Sequence, residues 1–236
     1  MKLPLRWAAW LPTFALPHSA ARETPQDTVE DDPPHESGSF REPDLVELDQ
    51  FDAAIKLDIR YATSDNFVGR PVYPEARAFL QRPAAEALRR ANAGLRRHGY
   101  GIVVFDGYRP WSVTKLFWDV TPPDKHQFVA DPREGSRHNR GCAADVSLYQ
   151  LATGRNVPMP SEYDEMTERA YPDYRGGTDG ERRTRDLLRQ VMEAEGFSVY
   201  RTEWWHFDYR DWKQYAILDV PFYTILRRQP HGNERN

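Results

Sequence analysis

The chain has a single cysteine, Cys142, in 236 residues. One thiol excludes an intramolecular disulfide and any cysteine-rich zinc finger or iron–sulfur centre. A metal site here has to be built from histidines and carboxylates. No run of about 20 apolar residues is present, so no helix is expected to span a membrane. Basic charge is not in excess: 32 Lys and Arg stand against 36 Asp and Glu, a net of −4. That balance gives no support for binding along a phosphate backbone, and nucleic acid is not an expected partner. The sequence carries no internal repeat.

Aromatic residues are plentiful, with seven Trp, twelve Tyr and eleven Phe, and 39% of the residues are hydrophobic. That is enough apolar material for a core, and a wholly disordered chain is excluded. The length fits one domain with an extension.

The extension reads as two parts. Lys2 and Arg6 precede a mostly apolar stretch, Trp7 to Leu16, and small residues follow at Ser19, Ala20 and Ala21. This is the layout of a secretory signal over residues 1–21, which predicts export to the periplasm or the exterior, a cytoplasmic location being the alternative. Residues 21–44 hold eight acidic residues against two arginines, with Pro25, Pro33, Pro34 and Pro43. Little there can bury against a core, so residues 22–44 read as a solvated, disordered linker. The folded domain is expected over 45–228, with a polar tail at 229–236.

Within the domain, Pro83 to His98 carries Ala84, Ala87, Leu88, Ala91 and Leu95 at helical spacing, with Gly99 as the stop. Gly101 to Phe105 reads as a short buried strand, Trp111 to Val120 as a helix, and Cys142 to Tyr149 as a strand. Tyr163 to Gly180 has four glycine or proline breaks and reads as a loop. Thr184 to Glu195 is amphipathic, with Leu187, Leu188, Val191 and Met192 inward, and Phe197 to Tyr209 reads as a pair of short strands. The fold class is α+β: a small, mostly antiparallel central sheet flanked by helices.

Two histidines stand in dense polar–aromatic clusters. The first cluster is Ser136-Arg-His138-Asn-Arg-Gly141-Cys-Ala-Ala-Asp145, where Gly135 and Gly141 let the backbone turn sharply around His138. The second is Glu203-Trp204-Trp205-His206-Phe207-Asp208-Tyr209. In a regular strand Glu203 and His206 point to opposite faces. A bulge could bring them to one pocket, and so could a single helical turn. Two imidazoles and one carboxylate are a usual protein ligand set for catalytic zinc, and zinc lowers the pKa of a bound water toward about 7. His138, Asp145 and His206 supply that set, with Glu203 left over as a proton acceptor.

Ser-x-His-x-x-Gly-x-Ala-x-Asp at 136–145, followed by Glu-Trp-Trp-His at 203–206, resembles the zinc D-alanyl-D-alanine dipeptidases. The likeness extends in order through Tyr61-Ala-Thr-Ser-Asp-Asn66-Phe, Phe105-Asp-Gly-Tyr-Arg109-Pro, Val157-Pro-Met159 and Tyr163-Asp164, over roughly residues 45–220. The resemblance implies one Zn²⁺ per chain on His138, Asp145 and His206, with Glu203 as general base and later proton donor. It implies that Arg109, a permanently charged planar fork, faces the scissile carbonyl and its developing oxyanion. It further implies that Ser136, Tyr61 and Asp164 hold the two charged ends of a small dipeptide substrate, with Asp164 toward the ammonium. The expected activity is zinc-dependent hydrolysis of D-Ala-D-Ala in peptidoglycan turnover or precursor depletion. The rivals are a D,D- or L,D-carboxypeptidase of the same superfamily, and a binding module for wall peptides, which would have no need of Glu203.

Overall fold

The computed structural model describes residues 32–228. The signal at 1–21, the first ten residues of the acidic stretch and the tail at 229–236 lie outside the described residues.

The elements, in chain order, are β1 (Leu45–Glu47), α1 (Leu48–Phe51), β2 (Lys56–Leu57), β3 (Phe79–Gln81), α2 (Arg82–Arg96), β4 (Tyr100–Asp106), α3 (Trp111–Val120), β5 (Ala143–Gln150), α4 (Asp179–Ala194), β6 (Phe197–Tyr200), β7 (Glu203–Tyr209) and α5 (Phe222–Arg228). Five strands form the main sheet in the order β2-β4-β5-β7-β6. Its β2–β4 pair is parallel and the other three pairs are antiparallel. A small antiparallel pair, β1–β3, stands apart. This is the mixed, mostly antiparallel α+β architecture expected from the sequence.

The helices cover the sheet for the reason their pattern gives. In α2 the residues Ala84, Ala87, Leu88, Ala91 and Leu95 are fully buried, and the helix packs on β4. Small side chains on that face let helix and sheet approach closely. On α4, Leu188 and Met192 are buried, while Leu187 and Val191 are half-buried against the core. No helix among the described residues is long and apolar enough to cross a membrane.

Three features differ from the sequence reading. Helix α4 begins at Asp179, five residues before the expected start. Its polar first turn has no periodic signal, and what starts it is a capping box: the Thr178 hydroxyl accepts from the Glu181 amide while the Glu181 carboxylate accepts from the Thr178 amide. Strands β1, β2 and β3 are two or three residues long, too short for alternation to show. The acidic stretch read as a solvated linker is docked from Glu36 onward. Glu36 accepts from Arg140, Arg41 N–H donates to the Gln214 carbonyl at 2.8 Å, and Asp44 pairs with Arg82.

Two irregularities shape one end of the sheet. The β4–β5 register shifts between Val104 and Asp106, after which Asp106 faces Asp145. The β6–β7 register shifts so that Val199 faces Phe207 but Tyr200 faces Glu203. In the next pair, Asp145 lies directly opposite His206. Asp106, Asp145 and His206 therefore sit in one row across three adjacent strands.

Candidate active site

His138 comes to that row from outside the sheet. It opens a 3₁₀ turn, His138–Arg140, which Gly141 closes in the left-handed conformation, φ 65°. A Cβ at 141 would lie 2.4 Å from Leu45 Cδ2, and the left-handed backbone there strains any side chain, so glycine suits the turn. Asn139 ties the turn down: its Oδ1 accepts from Ser136 N–H, and its Nδ2 donates to the Arg109 carbonyl and to Thr114 Oγ1.

The tautomers of both histidines follow from their partners. His138 Nδ1 lies 2.6 Å from the Gly107 carbonyl, an acceptor, so the proton of the neutral ring is on Nδ1. His206 Nε2 lies 2.9 Å from Asp208 Oδ1, so there the proton is on Nε2. The remaining nitrogens, His138 Nε2 and His206 Nδ1, then face each other at 3.1 Å as two lone pairs. Asp145 Oδ1 joins them, 3.3 Å from His138 Nε2 and 3.0 Å from His206 Nδ1, and with the histidines in these tautomers it accepts no hydrogen bond.

Three buried lone-pair donors at the corners of a triangle with edges of 3.0–3.3 Å repel one another unless a cation lies among them. Zinc bonded at 2.0–2.1 Å in tetrahedral geometry spaces its ligands by roughly 3.3 Å. The donor set fits zinc, with each ligand oriented by a partner outside the triangle: the Gly107 carbonyl, Asp208, and Tyr163, whose hydroxyl donates to Asp145 Oδ2 at 3.0 Å. Among the described residues these three are the one group of His, Cys, Asp and Glu so converged. Gly107 can serve only as glycine, because a Cβ there would lie 2.6 Å from the Phe79 carbonyl.

The electrostatics agree. Burial works against charge on Asp145, yet the imidazoles beside it, His138 foremost, hold its carboxyl well below the usual carboxylate range. Burial also opposes an imidazolium at His206, but Asp208 and Asp145 outweigh it and raise His206 well above its ordinary value, so without a metal a proton on Nδ1 takes the cation's place beside Asp145. The site attracts positive charge.

Glu203 stands beside the triangle without entering it, its Oε2 3.7 Å from His206 Nδ1. The irregularity in β7 brings the two to one side, and both neighbouring tryptophans are buried at 2% and 3% exposure. Burial pushes the Glu203 carboxyl up to about 7, with His206 opposing and Asp145 adding to the rise. A carboxylate so poised can accept a proton near neutrality and return it.

Arg109 is 8% exposed. Its Nε and Nη2 bind Asp106 Oδ2, while Nη2 lies 3.9 Å from Asp145 Oδ2. Burial disfavours its charge, but Asp106 holds the guanidinium protonated above its already high ordinary value. Asp164 has φ 60°, the one non-glycine with positive φ among the described residues. Its Oδ2 accepts from the hydroxyl of the buried Tyr61 at 2.9 Å. Ser136 Oγ accepts from the His138 amide at 3.2 Å.

All eight residues singled out from the sequence, Tyr61, Arg109, Ser136, His138, Asp145, Asp164, Glu203 and His206, line one cavity of about 150 Å³. Residues 127–131 and 164–166 also line it, and Lys125 Nζ donates to the Met166 carbonyl between these two segments. Sequence reasoning gave no role to Asp106, Asp208 or Tyr163. Asp208 was within reach of it, because a residue two along a strand from a candidate ligand shares that ligand's face.

Comparison with known proteins bears on this geometry. The profile of the peptidase M15 family described as D-ala-D-ala dipeptidase matches residues 41–223. The chain is 35% identical over 193 residues to the D-alanyl-D-alanine dipeptidase of Enterococcus faecalis, covering 74% of this chain and 92% of that protein. It is 36% identical over 182 residues to the one from Enterococcus faecium, covering 70% and 90%. It is 31% identical over 183 residues to the one from Escherichia coli, covering 78% and 93%.

Proposed function

The chain belongs to the D-Ala-D-Ala dipeptidase family of M15 peptidases, and on that premise we propose that this cavity hydrolyses D-alanyl-D-alanine with the eight residues described above. The enzyme is a zinc metallopeptidase. The observation that carries the reading is the triangle of His138 Nε2, Asp145 Oδ1 and His206 Nδ1, with Glu203 Oε2 3.7 Å from one corner.

Zinc held by His138, Asp145 and His206 supplies a Lewis acid and a water acidic enough to react at neutral pH. Glu203 takes a proton from the attacking water as its oxygen bonds to the scissile carbonyl carbon. Arg109 meets the negative charge that grows on the carbonyl oxygen. Its fork is held by Asp106, so the cation is in place before the reaction and costs little reorganisation. Glu203 then passes the proton to the leaving nitrogen, the C–N bond breaks, and two D-alanines result. Asp164 faces the substrate ammonium, with Tyr61 steadying its carboxylate, and Ser136 lies toward the terminal carboxylate. A site that recognises an amino terminus beside the cut bond suits a dipeptide and not a long wall peptide.

The physiological reading is turnover of peptidoglycan dipeptide outside the cytoplasm, supported by the signal-like layout of residues 1–21. Amino-terminal sequencing of protein recovered outside the cytoplasm tests export, and retention of Met1 in a cytoplasmic product refutes it.

The decisive variant is Glu203→Gln. It keeps size and shape but cannot take the proton, and general acid–base groups contribute about 10²–10⁴-fold. Turnover of D-Ala-D-Ala is expected to fall by at least the upper end of that range, while zinc stays near one per chain. Loss of zinc would make Glu203 a ligand, and near-normal turnover would put the base elsewhere.

A further inference from the structure

Arg140 is 7% exposed and sits on the same 3₁₀ turn as His138. A buried guanidinium needs acceptors and a countercharge. Arg140 has one carbonyl, Tyr215, at 2.5 Å from Nη1, and the face of Trp212 5.4 Å from its centre. Its countercharge is Glu36, whose Oε1 accepts from Nη2 at 2.5 Å. The other oxygen of Glu36, Oε2, accepts from the Ile217 amide at 2.7 Å.

One carboxylate therefore bridges two segments. On one side is the turn that carries His138; on the other is the irregular run 215–218. The two are already laced, since Leu218 N–H donates to the Asn139 carbonyl at 3.0 Å and Ile217 packs over Gly135. Glu36 closes that seam from outside, and it lies upstream of residues 41–223, the part that matches the family.

We infer that Glu36 is a positioning residue for the metal centre: by neutralising Arg140 and pinning it to the 215–218 run, it fixes the turn that aims His138 Nε2 at the zinc site. The residues just ahead of the family domain thus belong to the active-site scaffold. Without the carboxylate, Arg140 has to reach for water, and the turn moves with it. His138 keeps its own bond to the Gly107 carbonyl, so the consequence is looser aim and not the loss of a ligand. The inference rests on the assignment of His138 as a zinc ligand, but not on the identity of the peptide cleaved.

The test is zinc retention in the full chain, read by competition with a chromophoric chelator, for wild type, Glu36→Ala, Glu36→Gln and Arg140→Met, and for the Glu36→Ala/Arg140→Met double variant. Partners beyond the ligands typically shift metal affinity 10–100-fold. Glu36 acts one residue further out, so Glu36→Ala is expected to weaken zinc by about tenfold, with Glu36→Gln between it and wild type. The double variant should hold zinc no worse than Arg140→Met alone, because the cation that needed the carboxylate is gone. Wild-type zinc affinity in Glu36→Ala, with or without a lower melting temperature, would overturn the inference and leave Glu36 as a stabilising contact only. Should Glu36→Ala fail to fold, Glu36→Gln decides by the same measure. Zinc affinity is read without substrate, so failure to cleave D-Ala-D-Ala would count against the proposed function and leave this result standing.

Discussion

Arg109 donates twice to a single oxygen of Asp106, from Nε at 3.0 Å and from Nη2 at 2.8 Å. The other oxygen, Oδ1, accepts from the Tyr73 hydroxyl and from the Gly107 amide, both at 2.9 Å. The carbonyl of that same Gly107 orients His138. Asp106 thus connects the cation proposed for the oxyanion with the residue proposed for the metal, and it is 1% exposed.

Asp106→Asn should therefore harm both at once. An amide that presents its oxygen to Arg109 turns its NH₂ toward the Gly107 N–H, which then has no acceptor. Arg109 meanwhile loses its nearer countercharge and keeps only Asp145 at 3.9 Å. Breaking a buried pair costs about 3–5 kcal/mol, and a domain of this size loses roughly 2–4 °C of melting temperature per kcal/mol. A fall of about 10 °C is expected, together with a drop in kcat/KM. An unchanged melting curve would show that Asp106 is not the group that holds Arg109.

Asp208 orients His206, the ligand proposed for the metal. Burial raises its carboxyl, but His206, 2.9 Å away, more than offsets that and keeps it below its ordinary value. Asp208→Ala removes the acceptor for His206 Nε2–H and should weaken zinc 10–100-fold by chelator competition. Asp208→Asn keeps an acceptor oxygen and loses the charge. Its affinity should lie between the two, and the gap from wild type measures how much of the effect is charge and how much is ring orientation.

These outer partners mark the limit of what the sequence discloses. Helices such as Arg82–Arg96 are legible because their apolar faces repeat, and the proposed ligand pair is legible because His138 and Asp145 lie seven residues apart in one motif. The common pocket for Glu203 and His206 is legible only as one alternative, since it depends on the β6–β7 register shift. Asp106 and Tyr163 acquire their roles from the β4–β5 shift and from a loop packing 18 residues after its target, and neither is written in local spacing. Docking of Glu36 onto Arg140 spans 104 residues, and nothing in an acidic, proline-rich composition predicts it.

Cys142 lies three residues from Asp145 and is fully buried, and burial pushes its thiol up to about 12, with Arg140 opposing only in part. The neutral form then persists throughout the working range of thiol reagents, and the thiolate is the reactive species. The native protein at pH 8 should show no reaction with an aromatic disulfide reagent over the time in which a free peptide cysteine reacts completely. One equivalent should react after unfolding in guanidinium. Fast labelling of the native protein would mean that the chain just ahead of β5 opens locally.

Asp164 should impose a pH dependence on substrate binding. Burial, then the nearby Asp145, raises its carboxyl well above the ordinary value, and the Tyr61 hydroxyl offsets this only in part. The folded protein therefore holds that proton to higher pH than the unfolded chain, and the protonated form cannot pair with an ammonium. Binding of D-Ala-D-Ala must drive the proton off, so affinity should strengthen as pH rises until Asp164 is ionised. The measurement belongs in the Glu203→Gln background, where turnover is suppressed and the titration of Glu203 is absent. There the dissociation constant should fall with rising pH, and calorimetry in two buffers of different ionisation enthalpy should detect proton release. Asn tolerates the left-handed backbone that φ 60° demands, so adding Asp164→Asn changes charge with little strain. A hydrogen bond to a charged group contributes about 1.5–3 kcal/mol, so this second substitution should weaken binding roughly 10–100-fold at high pH and abolish the proton release. If the pH slope survived Asp164→Asn, the ammonium would be held by another group.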